Sequence, residues 1–111
     1  MNKTPQEIAA IIQEMVRRIV KTVNPTQIIL FGSHARGTAG PDSDVDLLVV
    51  MPVSGSKRTK EVQLHRVLAG IGLPKDVIVA TPEDLAMDRD VPGTLIRPAL
   101  LEGRVLYDRA A

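Results

Sequence analysis

Two strand-length apolar runs, separated by a glycine–serine turn and closed by a pair of aspartates, constrain this chain more than any other feature. The first, Ile28-Ile29-Leu30-Phe31, runs straight into Gly32-Ser33. The second, Leu47-Leu48-Val49-Val50, follows directly on Asp44-Val45-Asp46. Both are short, apolar and bounded by Gly, Pro, Asp and Ser, so they predict strands at 27–31 and 45–51. Side chains alternate faces along a strand, which puts Asp44 and Asp46 on the same side, about 6.7 Å apart along the chain. Two carboxylates at that separation repel by about 2.5 kcal/mol at an effective dielectric of about 20.

At the mouth of a strand the natural relief for such a pair is a hard divalent cation, which takes oxygen ligands. Gly32-Ser33 supplies the complementary half. Glycine lets a backbone approach an anion closely, and the free N–H groups of a following helix start attract phosphate. Carboxylates for Mg²⁺ beside a turn for phosphate point to metal-dependent chemistry on a nucleoside triphosphate. Asp42, Asp44 and Asp46 also invite comparison with a calcium loop of EF-hand type. That reading fails at the sixth position, Leu47, where glycine is needed, and at the twelfth, Val53, where a bidentate Glu belongs. A Walker-type loop fails too, because no Gly-Lys-Ser/Thr occurs.

Gly32-Ser33, ten intervening residues and Asp44-x-Asp46 together resemble the signature of the nucleotidyltransferases of the DNA polymerase β superfamily. Gly32-Ser33-x-Ala35-Arg36-Gly37 and Ser43-Asp44-x-Asp46-Leu47 are most similar to its minimal nucleotidyltransferases, the MNT proteins of prokaryotes. The resemblance continues through Ala99-x-x-Glu102-Gly103-Arg104-Val105-Leu106-Tyr107. It implies an α/β (α+β) fold, a small mixed β-sheet flanked by helices in a palm-like arrangement, expected as a single domain over residues 1–111.

In that family a third carboxylate from a neighbouring strand joins the pair, and Asp76 is the matching residue. The resemblance therefore implies that Asp44, Asp46 and Asp76 are the catalytic and metal-binding residues, holding two Mg²⁺ ions about 3.5–4 Å apart. Gly32 and Ser33 would hold the β- and γ-phosphates of ATP or another nucleoside triphosphate, with Arg36 and Ser43 as further nucleotide-binding residues. Read without the family, Ser33 is a helix N-cap. Two roles are open to Arg36, a phosphate contact or a salt bridge to the acidic loop. His34 reads as a surface turn residue and is assigned no catalytic role.

Around this stretch the chain reads as alternating helices and strands. Thr4-Pro5-Gln6-Glu7 is a helix start by cap, proline and capping box. From Ile8 to Val23 one apolar stripe recurs at helical spacing, and Asn24-Pro25 stops it. A second helix is expected over 57–70, with Leu64, Val67, Leu68 and Ile71 on one face. Its first turns carry Lys57, Arg58 and Lys60, followed by Arg66, against the single acid Glu61. Such a run is either a solvated face or a basic rim for triphosphate, RNA or an acidic protein. Residues 75–80 predict a third strand, in which Asp76 is costly unless exposed, paired or metal-bound. Thr81-Pro82 opens a short helix. A further helical segment over 94–102 ends at Gly103, and Tyr107 reads as a packing residue.

Composition excludes several functions. A chain of 111 residues with a formal net charge of +1 has no global reason to bind nucleic acid or an anionic membrane. Phe31 and Tyr107 are its only aromatics, too few for a base-stacking platform. The absence of cysteine fits a reducing compartment, and no apolar run is long enough for a signal peptide or membrane span, so a cytoplasmic location is expected. The strands at 45–51 and 75–80 are apolar on both alternations and so need cover on both faces, more than a few short helices supply. A partner chain or a homo-oligomer would provide the rest.

In the family that this chain resembles, the MNT protein is commonly the antitoxin of an all-helical HEPN toxin and adenylylates a tyrosine on it. The resemblance thus implies a protein adenylyltransferase acting on a HEPN-type partner. Two alternatives stand beside it: a non-catalytic binding module of the same fold, and a transferase acting on a small molecule or an RNA end.

Overall fold

In a computed structural model describing residues 3–111, the first helix starts as its cap residues dictate. Helix α1, Pro5–Val23, opens on Thr4, whose hydroxyl accepts from the Glu7 N–H at 3.1 Å while Glu7 accepts from the Thr4 N–H at 2.9 Å. Asn24 ends it in the left-handed conformation, φ 45°. Four strands follow in the order β1 Gln27–Phe31, β2 Val45–Val50, β3 Lys75–Ala80 and β4 Arg104–Asp108. They form one sheet with spatial order β3-β2-β1-β4. The β1–β2 and β1–β4 pairs are antiparallel; β2–β3 is parallel. The mixed α/β sheet implied by the sequence is thus the fold observed.

The parallel pair needs a crossover, and α3, Lys57–Val67, supplies it. This helix stops three residues short of the expected 57–70, because the chain turns at Leu68-Ala69-Gly70, with Gly70 at φ +76°. Leu64, Leu68 and Ile71 are buried as expected. The basic run stays largely exposed, at Lys57, Arg58 and Arg66. Lys57 pairs with Asp84 at 2.9 Å and Arg58 approaches Glu61 at 3.8 Å.

Both faces of the sheet are apolar, as the strand sequences require. On one side Met15 and Ile19 of α1 and Leu64 and Leu68 pack on Ile28, Leu30, Leu47, Val49, Val77 and Val79. On the other, Ile96 and Ala99 of α5, Ile96–Glu102, pack on Ile29, Leu48, Val50 and Ala80, with Leu85 of α4, Pro82–Asp88, at the margin. This second cover is incomplete: Leu101 and Val105 are 69% and 56% exposed. Pro98 is the third residue of α5, where an N–H has no intrahelical acceptor, so the proline costs no hydrogen bond.

Strand β4 was not legible in the sequence. Tyr107 pairs with Ile28 and Val105 with Ile29, which leaves Leu106 as an extra residue, and Leu106 and Tyr107 both pack on the α1 side. The bulge breaks the two-residue alternation by which a strand is recognised. No helix among the described residues is long and apolar enough to cross a membrane.

Candidate functional site

Antiparallel pairing of β1 and β2 sets Phe31 opposite Asp46, so the chain leaves β1 at Gly32 directly beside the start of β2. Gly32 has φ 76° and ψ −157°, a region open essentially to glycine alone. A Cβ at this position would fall on the Asp46 carboxylate oxygen Oδ2. The backbone then enters the four-residue helix α2, Ser33–Arg36, closed by Gly37. The Gly32 carbonyl accepts from the N–H groups of Ala35 and Arg36, 3.1 Å each. The N–H groups of Ser33 and His34 come before the first intrahelical bond and have no partner within the helix.

Asp76 is the parallel register partner of Asp46, and residues in register on adjacent strands share a face. Asp46 is half-buried; Asp44, just before β2, and Asp76 are exposed. The three acids therefore meet at one end of the β2–β3 pair, on the side of the sheet that carries Leu48 and α5. Burial pushes the Asp46 carboxyl above the ordinary aspartate value, and the charges of Asp76 and Asp44 push it further. His34 and Arg36 pull it part of the way back. Three carboxylates offer oxygen donors, which suit a hard divalent cation. Among the described residues no three acidic or histidine side chains are gathered tightly enough to hold an ion as they stand.

The remaining predicted residues surround this point. Arg36 forms a half-exposed ion pair with Glu102 at the end of α5, 3.5 Å, and not with the acidic loop. The Ser43 hydroxyl accepts from the Gly40 N–H at 2.8 Å and so closes the turn that leads into Asp44. His34, given no role from the sequence, donates from Nε2 to the Ser43 carbonyl at 3.2 Å. Glu61, the lone acid of the basic run, accepts from the Val79 N–H of β3 at 2.9 Å and covers part of that edge. No sequence signal marks either contact, since both join residues distant in register or lying across a loop. A cleft of about 740 Å³ lies on the opposite side of the sheet, under α1, lined by Ile8, Ile12, Leu30, His34, Pro41 and Arg104 among others. None of the three acids reaches it.

A mixed sheet with carboxylates at the head of adjacent parallel strands, facing a glycine–serine turn from the neighbouring antiparallel strand, is the nucleotidyltransferase class of architecture. The nucleotidyltransferase domain family model matches residues 11–106, and the chain belongs to that family. It is 39% identical over 90 residues to an inferred protein adenylyltransferase of Methanocaldococcus jannaschii, an alignment covering 74% of this chain and 58% of that protein. The chain thus spans little more than half the length of that relative. A crystal structure of an inferred nucleotidyltransferase from Sulfolobus solfataricus superposes with a TM-score of 0.64 at 20% identity, covering 99% of this chain and 94% of that one. A crystal structure of a toxin–antitoxin with AMP-PNP superposes with a TM-score of 0.62 at 19% identity, covering 86% of this chain and 72% of that one.

Proposed function

We propose that this nucleotidyltransferase moves a nucleoside monophosphate from ATP, or another nucleoside triphosphate, to a hydroxyl of a partner protein, and that it serves as the antitoxin of a toxin–antitoxin pair. The observation that carries the transfer step is the convergence of Asp44, Asp46 and Asp76 beside Gly32-Ser33. The choice of a protein acceptor is supported by the name of the Methanocaldococcus relative. The antitoxin assignment is supported by the likeness to a toxin–antitoxin structure containing AMP-PNP, and the partner we favour is a helical HEPN-type toxin.

Mg²⁺ would be held by Asp44, Asp46 and Asp76; when bound it supplies charge neutralisation at the phosphates and at the attacking and leaving oxygens. The N–H groups opening α2 and the Ser33 hydroxyl bind the β- and γ-phosphates, and Arg36 exchanges Glu102 for a phosphate oxygen. The missing side chain of Gly32 lets the Asp46 carboxylate lie directly against the phosphate-binding turn. Asp76 orients the acceptor hydroxyl and takes its proton as the oxygen attacks the α-phosphorus. One O–P bond forms, the bond from the α-phosphorus to the bridging oxygen breaks, and pyrophosphate leaves with the electron pair. Positioning and electrostatics dominate such a transfer, so three acids and a turn suffice without covalent help from the protein.

The test is to incubate the full chain with Mg²⁺, α-labelled ATP and the protein encoded beside it, with Asp44→Asn and Asp46→Asn as controls. Label should pass to the neighbour with the native chain and not with either variant. Inhibition of the neighbour that persists in both variants, with no label moved, would replace the transferase by a binding module.

A further inference from the structure

Asp44 lies one residue outside β2, is exposed, and has no ladder of its own to hold it. Its backbone is fixed from both sides. The Val45 N–H that follows donates to the Pro74 carbonyl at 2.9 Å, and the Ser43 carbonyl that precedes it accepts from His34 Nε2 at 3.2 Å. A carbonyl only accepts, so His34 carries the proton on Nε2. The imidazole stands on α2, the same turn that begins with Gly32-Ser33, and the segment it grips lies across the glycine-containing loop 37–42. Thr38 bonds back to Ser33 of α2, and Gly40 and Ser43 bond to each other, but neither contact by itself spans the loop from α2 to Asp44. The cross-loop bond from His34 does.

We infer that His34 is a positioning residue, which locks the carboxylate-bearing strand start to the phosphate-binding turn and so sets Asp44 against Asp46; the inference rests on the transferase reading above. A side chain that acts this way governs the transfer rate more than nucleotide affinity, because the phosphate contacts belong to the other half of the site. Loss of such a supporting hydrogen bond behind a ligand residue costs roughly ten- to a hundredfold.

The experiment compares the full native chain with His34→Phe, which keeps a ring and removes the donor, and His34→Gln, whose amide reaches about as far as Nε2. Label transfer from α-labelled ATP to the partner protein is measured with amide hydrogen exchange at residues 43–45, and thermal melting confirms folding. His34→Phe should lower kcat roughly ten- to a hundredfold, with KM for ATP changing far less, and should speed exchange at Asp44 and Val45. His34→Gln should recover most of both. His34→Asn, whose amide stops short of the carbonyl, repeats the comparison if the phenylalanine variant does not fold. Unchanged turnover, equal loss in the glutamine and phenylalanine variants, or unaltered exchange at residues 43–45 would overturn the assignment. If the native chain itself transfers no label, the transferase reading fails, and exchange alone decides whether His34 holds Asp44.

Discussion

Asp46 and Asp76 are register partners across the parallel β2–β3 pair, one acid per strand, on the same face and at the same end. Thirty residues separate them in sequence, with α3 and its connections between. Their proximity raises the proton affinity of Asp46 after burial has already done so. From this pairing follows the first prediction. Asp76→Ala should reduce nucleotidyl transfer at least about a hundredfold, within the range of general-base removal. Binding of AMP-PNP, measured by calorimetry, should change little. Equal transfer by the variant would remove the role given to Asp76.

The same geometry sets a cost in stability. The folded-state pKa of Asp46 lies above its ordinary 3.8, so the native protein binds that proton more readily than the unfolded chain. The penalty is therefore absent below about pH 3.8, grows as pH rises through the raised value, and is complete at neutral pH. Asp46→Asn should accordingly raise the melting temperature at pH 7 without divalent cation. The gain should vanish below about pH 3.8, where the native and the unfolded carboxyl are both protonated. Differential scanning calorimetry across that range checks the sign.

Gly32 is held where no other residue fits without strain. Gly32→Ala introduces a Cβ against the Asp46 carboxylate and a φ of +76° that alanine resists. We expect a loss of about 1–3 kcal/mol in urea unfolding. Because Asp46 must move aside, transfer activity should fall along with stability. A Gly37→Ala control meets no atom within 4 Å and carries only the backbone strain of its φ of +77°.

Glu61→Ala should uncover the Val79 N–H on the β3 edge. A buried donor stripped of a charged acceptor costs about 1–3 kcal/mol, and the Val79 amide should exchange faster than in the native chain. Thr59→Ala, on the same helix but bonded through its own N–H to Ser56, should leave that amide unchanged.

Arg36→Ala separates a stabilising ion pair from a substrate contact. Its pair with Glu102 is half-exposed on both sides, so its loss should cost at most about 1 kcal/mol. If Arg36 reaches the triphosphate, KM for ATP should rise about tenfold, the worth of a single charge-assisted hydrogen bond. Glu102→Gln should leave stability within the same limit and not raise KM.

What could be read from the sequence was whatever depends on residues close along the chain. The capping box at Thr4 and Glu7, the strand runs at Ile28–Phe31 and Leu47–Val50, and the spacing from Gly32-Ser33 to Asp44 and Asp46 are local patterns, and physics acts on them locally. Apolar residues on both alternations of β2 and β3 likewise announced cover on both faces. Strand β4 escaped because its bulge at Leu106 erases the alternation, and its pairing with β1 is made 74 residues or more away in the chain. The sequence marked Asp76 as a costly acid, but only the register of two parallel strands puts it beside Asp46. His34 and Glu61 gained their roles in the same way: each holds a backbone group that folding alone delivers, the Ser43 carbonyl across a loop and the Val79 N–H on a sheet edge. Side-chain chemistry is written residue by residue, whereas which two groups meet is decided by the packing of the whole sheet.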